Sequence, residues 1–139
     1  MSVFVDSGVL VANAVTGERR HERARDMLHG LIADGPFTTD HVLVEAWHII
    51  RARATYFHAM RFWSGIRETP LLVECVTAPD MERAAAIAEA WSDQEFDLVD
   101  CTSFAVMERL GCRRAATFDS DFAVYRAGQN RSTAFDILR

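Results

Sequence analysis

Val3-Phe4-Val5-Asp6-Ser7-Gly8 is a run of three apolar β-formers that stops on an acid, a hydroxyl and a glycine. A strand that is apolar at every position, not at alternate ones, expects cover on both faces, the usual condition inside a parallel sheet. Asp-Ser-Gly reads as the turn that ends it, so Asp6 stands at the C-terminal end of the strand. Beyond this point the period changes. Residues 18–33 place Ala24, Met27, Leu28, Leu31 and Ile32 at helical spacing, and Gly35-Pro36 follows as a stop. After Phe37-Thr38-Thr39, Asp40 is placed to cap a helix over about 41–53 that carries Glu45, and a second helical stretch covers about 55–68 before Pro70. Leu71 to Val76 reads as a strand. Residues 80–92 form an alanine-rich helix with Met81, Ala84, Ala88 and Trp91 on one side, and a loop at 93–97 leads into a helix that ends at Gly111. Ala115 to Phe118 reads as a short strand running into Asp119-Ser120-Asp121, and Ala134 to Leu138 as a last edge strand. Helices alternating with short apolar strands give an α/β fold around a largely parallel sheet, in one domain over 1–139.

In such sheets the functional site lies beyond the C-terminal strand ends. Asp6 and Asp119 both stand there. Glu45 is embedded in Val42-Leu43-Val44-Glu45-Ala46-Trp47, where a charge needs a partner, either an arginine or a bound cation. Asp97 and Asp100 both precede or open the helix ending at Gly111; Asp97 suits the capping position, which leaves Asp100 in the first turn facing the strand ends. Carboxylates gathered together oppose folding by mutual repulsion, and a divalent cation relieves it. Mg²⁺ or Mn²⁺ suits oxygen donors of this kind.

Composition narrows the classes further. The chain has 139 residues, half of them apolar, and a formal net charge of −5. No apolar run approaches the roughly 18 residues of a membrane span, and the first residues lack a secretory pattern, so a cytoplasmic protein is expected. Cys75, Cys101 and Cys112 form no C-x-x-C pair and suggest neither a disulfide framework nor a zinc site; they read as buried small hydrophobes. The acidic balance argues at first against a nucleic-acid protein, yet charge is segregated: residues 46–70 carry Arg51, Arg53, Arg61 and Arg67 against Glu68, whereas 71–100 are strongly acidic. Every basic residue other than histidine is arginine. Without lysine neither a phosphate-binding G-x-x-x-x-G-K loop nor a phosphoacceptor receiver site can form, and Gly8 stands where a dehalogenase-like phosphatase would need a second acid. The five histidines show no paired metal spacing. Trp47, Phe57, Phe62 and Trp63 have two readings, as core or as a surface that stacks bases or seats a partner segment.

The order and wording of these segments resemble the PIN domain, and within it the VapC-type toxins of toxin–antitoxin pairs. The resemblance rests on Val3-Phe-Val-Asp-Ser-Gly, Glu45 after Leu-Val, Leu98-Val-Asp-Cys-Thr-Ser-Phe-Ala-Val-Met and Ala116-Thr-Phe-Asp-Ser-Asp-Phe, and it spans nearly the whole chain. It implies a three-layer sandwich with a central, mostly parallel sheet flanked by helices. It also implies a metal-dependent endoribonuclease with Asp6, Glu45, Asp100 and Asp119 as catalytic residues, Asp6, Asp100 and Asp119 as ligands of Mg²⁺ or Mn²⁺, and cleavage of tRNA or rRNA by an activated water. Ser7, Asp97, Thr102, Ser103, Thr117 and Asp121 are then placed to orient ligands or waters; Asp121 stands where many relatives carry histidine. A small cognate antitoxin and a homodimer are the implied protein partners, with no membrane. Two other readings stay open: a PIN fold that only binds RNA or protein, and a stand-alone nuclease of RNA turnover.

Overall fold

A computed structural model describes residues 2–139. Its centre is β1 (Val3–Val5), whose three side chains are all fully buried. Because successive side chains of a strand point to opposite faces, complete burial of three in a row requires cover on both sides of the sheet. β2 (Pro36–Thr39) and β4 (Arg114–Ala116) flank β1, and β3 (Leu72–Glu74) and β7 (Asp136–Leu138) form the edges, in the order β3-β2-β1-β4-β7 with every pairing parallel. The helices that cover the sheet make it the middle layer of an α/β three-layer sandwich. They are α1 (Ser7–Ala14), α2 (His21–Gly30), α3 (Asp40–Arg53), α4 (Tyr56–Ile66), α5 (Ala78–Ala90), α6 (Leu98–Leu110) and the short α7 (Asp121–Val124). A two-stranded antiparallel ribbon, β5 (Arg126–Ala127) with β6 (Thr133–Ala134), lies outside the main sheet.

On one face of β1, Phe4 meets Phe37 of the neighbouring strand and stacks on Phe122 of α7, with centroids 5.8 and 5.7 Å apart. Phe122 in turn meets Phe104 of α6 edge to face at 4.9 Å. Phe104 is the hub of this layer, stacked on Tyr125 at 4.2 Å with rings nearly parallel and in contact with Phe96 and Phe135. Every residue from Asp100 to Met107 is buried. α6 therefore has no wet face along most of its length, and this draws Asp100 into the interior with it.

Several elements depart from the sequence reading. Ser7-Gly8 is not a turn: α1 begins at Ser7 with Asp6 as its N-cap. The helix was hidden because Val9-Leu10-Val11-Ala12 is buried throughout and shows no amphipathic period. Phe37-Thr38-Thr39 belongs to β2, a strand buried at all four positions, and Thr39, not Asp40, caps α3 by accepting from the Val42 amide at 3.1 Å. Asp40 instead accepts from the amides of His41 and Val76, each at 3.0 Å, tying the start of α3 to the chain leaving β3. α5 starts earlier than expected because Thr77 and Asp80 form a reciprocal capping box. The tail divides into Ala134 in the ribbon and Asp136–Leu138 in the sheet. Cys101 and Cys112 are buried as expected, but Cys75 is exposed.

Two substitutions separate core from cap. Phe104→Ala is expected to cost about 3–5 kcal/mol, the range for an aromatic side chain deleted from a packed core, and Thr77→Ala about 1 kcal/mol for a lost cap. Urea denaturation midpoints measure both, and equal losses would show that the aromatic cluster is not the hub.

Candidate functional site

Strand ends and helix starts converge at one point of the sheet. β1 and β4 continue their ladder through the Asp6 amide, which donates to the Ala116 carbonyl at 3.0 Å, and the Thr117 amide donates to Leu138 at 3.1 Å. The buried Thr38 hydroxyl donates to the Val5 carbonyl at 2.8 Å, fixing the end of β1 from the other side. Asp6 and Thr117 are thus held by backbone that has little freedom to move.

Asp6 is 4 % exposed. One carboxylate oxygen accepts from the Ser7 amide at 2.8 Å, and the other accepts from the Thr117 hydroxyl at 2.8 Å. The Thr117 hydroxyl also accepts from the Asp119 amide at 3.0 Å, and the Asp119 carboxylate accepts from the Asp121 amide at 2.9 Å. These bonds connect Asp6 with Asp119 although the two are far apart in sequence. Asp97 caps α6, accepting from the Val99 amide at 2.9 Å, and sets Asp100 in the first helical turn. Asp6, Asp100 and Asp119 each offer a carboxylate oxygen within 4.8 Å of the other two.

Glu45 reaches this region from α3 and is half-buried. It lies outside the set of three, but the Ser7 side chain offsets part of the rise that burial causes in it, and its charge is felt at Asp6 and Asp100. No arginine neutralises it: among the described residues the ion pairs join Arg25, Arg53, Arg83, Arg109 and Arg114 to acids elsewhere.

Electrostatics follow from this arrangement. Burial pushes Asp6 up to about 6 against the pull of its bonds from Thr117 and Ser7, with Glu45 and Asp119 adding repulsion. Asp100 is raised strongly, first by burial and then by the charges of Asp6, Asp119, Glu45 and Asp97. Glu45 is raised by burial against the Ser7 bond, and Asp121 by burial and Asp119. The pocket holds more negative charge than it can ionise alone. Three hard oxygen donors converging without a cationic side chain suit a divalent cation such as Mg²⁺ or Mn²⁺. The chemistry of the donor set passes this test, whereas the nearby Cys101 thiol, pushed up to about 11 by burial and Asp100, offers no thiolate.

Other sequence candidates lie differently. Ser103 and Thr102 donate their hydroxyls to the Val99 carbonyl at 2.9 and 2.7 Å. They donate to the backbone of their own helix, and each hydroxyl oxygen keeps its acceptor capacity. Asp97 is exposed at its cap, and Asp121 opens α7 outside the set of three. Of the aromatic candidates Phe62 is core, whereas Phe57 is exposed on α4 with the Arg61 guanidinium over its ring. One contact had no sequence signal: the guanidinium of Arg20 lies over the Phe118 ring, 4.7 Å from its centroid, immediately beside Asp119. Arg19-Arg20 is only one more pair in an arginine-rich chain.

Comparison with known proteins gives concordant findings. The model of the PIN domain family matches residues 3–128. The 23S rRNA-specific endonuclease VapC20 of Mycobacterium tuberculosis is 34 % identical over 124 residues, covering 87 % of this chain and 92 % of that protein. The crystal structure of VapC20, described as a sarcin–ricin loop cleaving toxin, superposes with a TM-score of 0.78 at 32 % identity, over 88 % of this chain and 93 % of that one. VapBC2 of Rickettsia felis, bound to a promoter DNA fragment, shares the fold with a TM-score of 0.73 over the whole of both chains at 9 % identity.

The raised carboxylates fix the sign of a pH dependence. Asp6 and Asp100 hold protons in the folded chain that the unfolded chain has already released, so the metal-free protein loses stability as pH rises from about 4 through the Asp6 value near 6 and beyond. Thermal melts in a chelator across this range should show the decline, and Asp100→Asn should flatten it and raise the neutral-pH midpoint. A midpoint lowered by Asp100→Asn would contradict the crowding of charge.

Proposed function

This chain belongs to the PIN domain family, and on that footing we propose that it is a metal-dependent endoribonuclease of the VapC type that cuts ribosomal RNA and is restrained by a cognate antitoxin. The observation that carries the reading is the meeting of Asp6, Asp100 and Asp119 within 4.8 Å with no arginine to neutralise them. A module that merely bound RNA would gain nothing from such a pocket, since uncompensated carboxylates repel phosphate and destabilise the fold.

In this reading Asp6, Asp100 and Asp119 hold the cation, taken to be Mg²⁺ or Mn²⁺. When bound, it supplies positive charge to the scissile phosphate and makes a coordinated water acidic enough to serve as nucleophile near neutral pH. The remaining work belongs to the protein. Ser7 and Thr117 use both oxygens of Asp6 and hold its carboxylate in one orientation. Thr117 couples that orientation to the Asp119 loop. Glu45, raised by its burial and steadied by Ser7, is the base that accepts the proton of the attacking water at its carboxylate. The attack needs no 2′-hydroxyl, so the expected products carry a 5′-phosphate and a 3′-hydroxyl.

The substrate comes from VapC20, a 23S rRNA endonuclease and sarcin–ricin loop cleaving toxin; an exposed stem-loop of 23S rRNA is the target proposed here. Folded RNA of this sort is recognised through loops and backbone shape. Among the described residues no helix is long and apolar enough to cross a membrane, and the site of action proposed is the cytoplasm, where ribosomes are.

Purified protein incubated with ribosomes and with naked 23S rRNA, in Mg²⁺, in Mn²⁺ and in EDTA, tests the proposal. A discrete cut is expected that needs metal and falls by at least about 100-fold in Asp6→Asn and Asp100→Asn, a loss of the size seen when one group stabilising a transition state is removed. Cleavage that persists in EDTA or in both variants would overturn it.

A further inference from the structure

We infer that Arg20 is a positioning residue for the RNA: it holds a phosphate next to the scissile one, at the rim of the carboxylate pocket. The inference rests on the nuclease reading above and adds a residue that neither the sequence motifs nor the acidic cluster indicates.

The starting point is an electrostatic problem. A polyanion must approach a site lined by Asp6, Glu45, Asp100 and Asp119, with Asp97 and Asp121 nearby. A cation in the pocket addresses the phosphate being cut, but the flanking phosphates still face carboxylates. A fixed positive group at the rim solves this, and several arginines are committed elsewhere. Arg53, Arg83, Arg109 and Arg114 are held by acids away from the site. Arg126 is spent on the carbonyls of Ala123, Val124 and Tyr125.

Arg20 is exposed and makes no ion pair among the described residues, and its guanidinium rests on the face of Phe118; Arg51 and Arg61 also lie over aromatic rings, but over those of α3 and α4. Phe118 sits between Thr117, which donates to Asp6, and Asp119. The ring also packs toward the start of α1, since a side-chain carbon added at Gly8 would lie 4.0 Å from it. The stacking face therefore stands on the segment that joins Thr117 to Asp119, next to the start of α1.

The arm that carries Arg20 is fixed as well. The His21 amide donates to the Glu18 carbonyl at 3.0 Å and the Ala24 amide to the Arg20 carbonyl at 2.9 Å. The His21 ring bonds the Ala12 carbonyl at 2.8 Å, and the Glu18 carboxylate pairs with Arg53 of α3 at 3.1 Å. The loop between α1 and α2 is thus tied to α1 and α3, the helices that carry Ser7 and Glu45. Stacking on an aromatic face uses the π surface of the guanidinium and leaves its in-plane N–H donors free for two oxygens of a phosphate. The arrangement preorganises the donor fork over Phe118, the residue that precedes Asp119 in the chain.

The test uses the full-length protein and a fluorescein-labelled RNA hairpin that the wild type cuts, in Mg²⁺. Arg20→Gln is expected to lower kcat/KM about tenfold, mostly through KM, the scale for a lost charge-assisted contact. Arg20→Lys keeps the charge without the planar fork and should recover part of the loss. Binding of the hairpin to Asp6→Asn protein, with and without Arg20→Gln, should show a salt dependence less steep by about 0.7–0.9 in the logarithmic slope, one phosphate's worth. Arg23→Gln, an exposed arginine on α2, is the control for general charge and should leave both readouts unchanged. Wild-type rates and slope in Arg20→Gln, or an equal loss in Arg23→Gln, would overturn the inference while leaving the nuclease reading intact. Failure of the wild type to cut any RNA, with Asp6→Asn indistinguishable from it, would overturn the nuclease reading and the inference with it.

Discussion

The repulsion among carboxylates that the fold forces together is the constraint on which the other features depend. Asp6 is placed by the end of a strand that must stay buried on both faces, Asp100 by a helix with no wet side, and Asp119 by a loop whose amide is bonded to Thr117. Asp6 and Asp100 cannot turn away to water without undoing packing, and Asp119 is half-buried at the edge of the set. The aromatic layer around Phe104 holds α6 against the sheet, and so sustains the burial, and after it the crowding, that raise Asp100. Core stability and site acidity are opposed at this point, and the opposition is what makes the pocket receptive to a divalent cation.

How much of this could be read in advance depended on the physical signal each element leaves. β1 was legible because an apolar run ending on Asp-Ser-Gly has few other uses, and α6 because a capping acid and Gly111 mark its ends. α1 was not, since a short helix buried on all sides has no period to detect. Its start at Ser7 changes the meaning of Asp6, which is at once the helix cap and a member of the carboxylate set. β2 escaped for a related reason: Phe37-Thr38-Thr39 is buried by its place between two strands, not by its own hydrophobicity. Thr38 and Thr39 then serve as a lock on β1 and a cap for α3, roles that only the folded arrangement defines.

Asp6 and Glu45 were legible because each breaks a local rule, whereas Asp100 and Asp119 stand where acids are ordinary and joined them through the family resemblance. An acid after a buried strand, or one inside Val-Leu-Val-Glu-Ala-Trp, conflicts with packing unless something compensates it. The sequence left arginine open as the partner of Glu45, and among the described residues no arginine pairs with it. Groups that break no rule were harder to read. Ser103 and Thr102 look like site residues by position, yet a hydroxyl in a buried helix finds the carbonyl one turn back first. Arg20 breaks nothing, being an exposed charge at the start of a helix, and only its contact with Phe118 sets it apart.

The acidic net charge then loses its force as an argument against RNA. Part of the excess lies in a pocket where protons or a cation offset it, and part in acids already paired with arginine on α5, α6 and elsewhere. What RNA meets is the local field near the pocket, and field lines there are shaped by a few fixed groups more than by the sum over the chain. A divalent cation bound among Asp6, Asp100 and Asp119 would offset much of that negative field at short range and leave the rim to the side chains that stand on it. Charge patterning at such a pocket is therefore a property of the loaded site, and the acidity of this chain is compatible with a polyanionic substrate when the carboxylates that would repel it are offset by a cation that they are placed to hold.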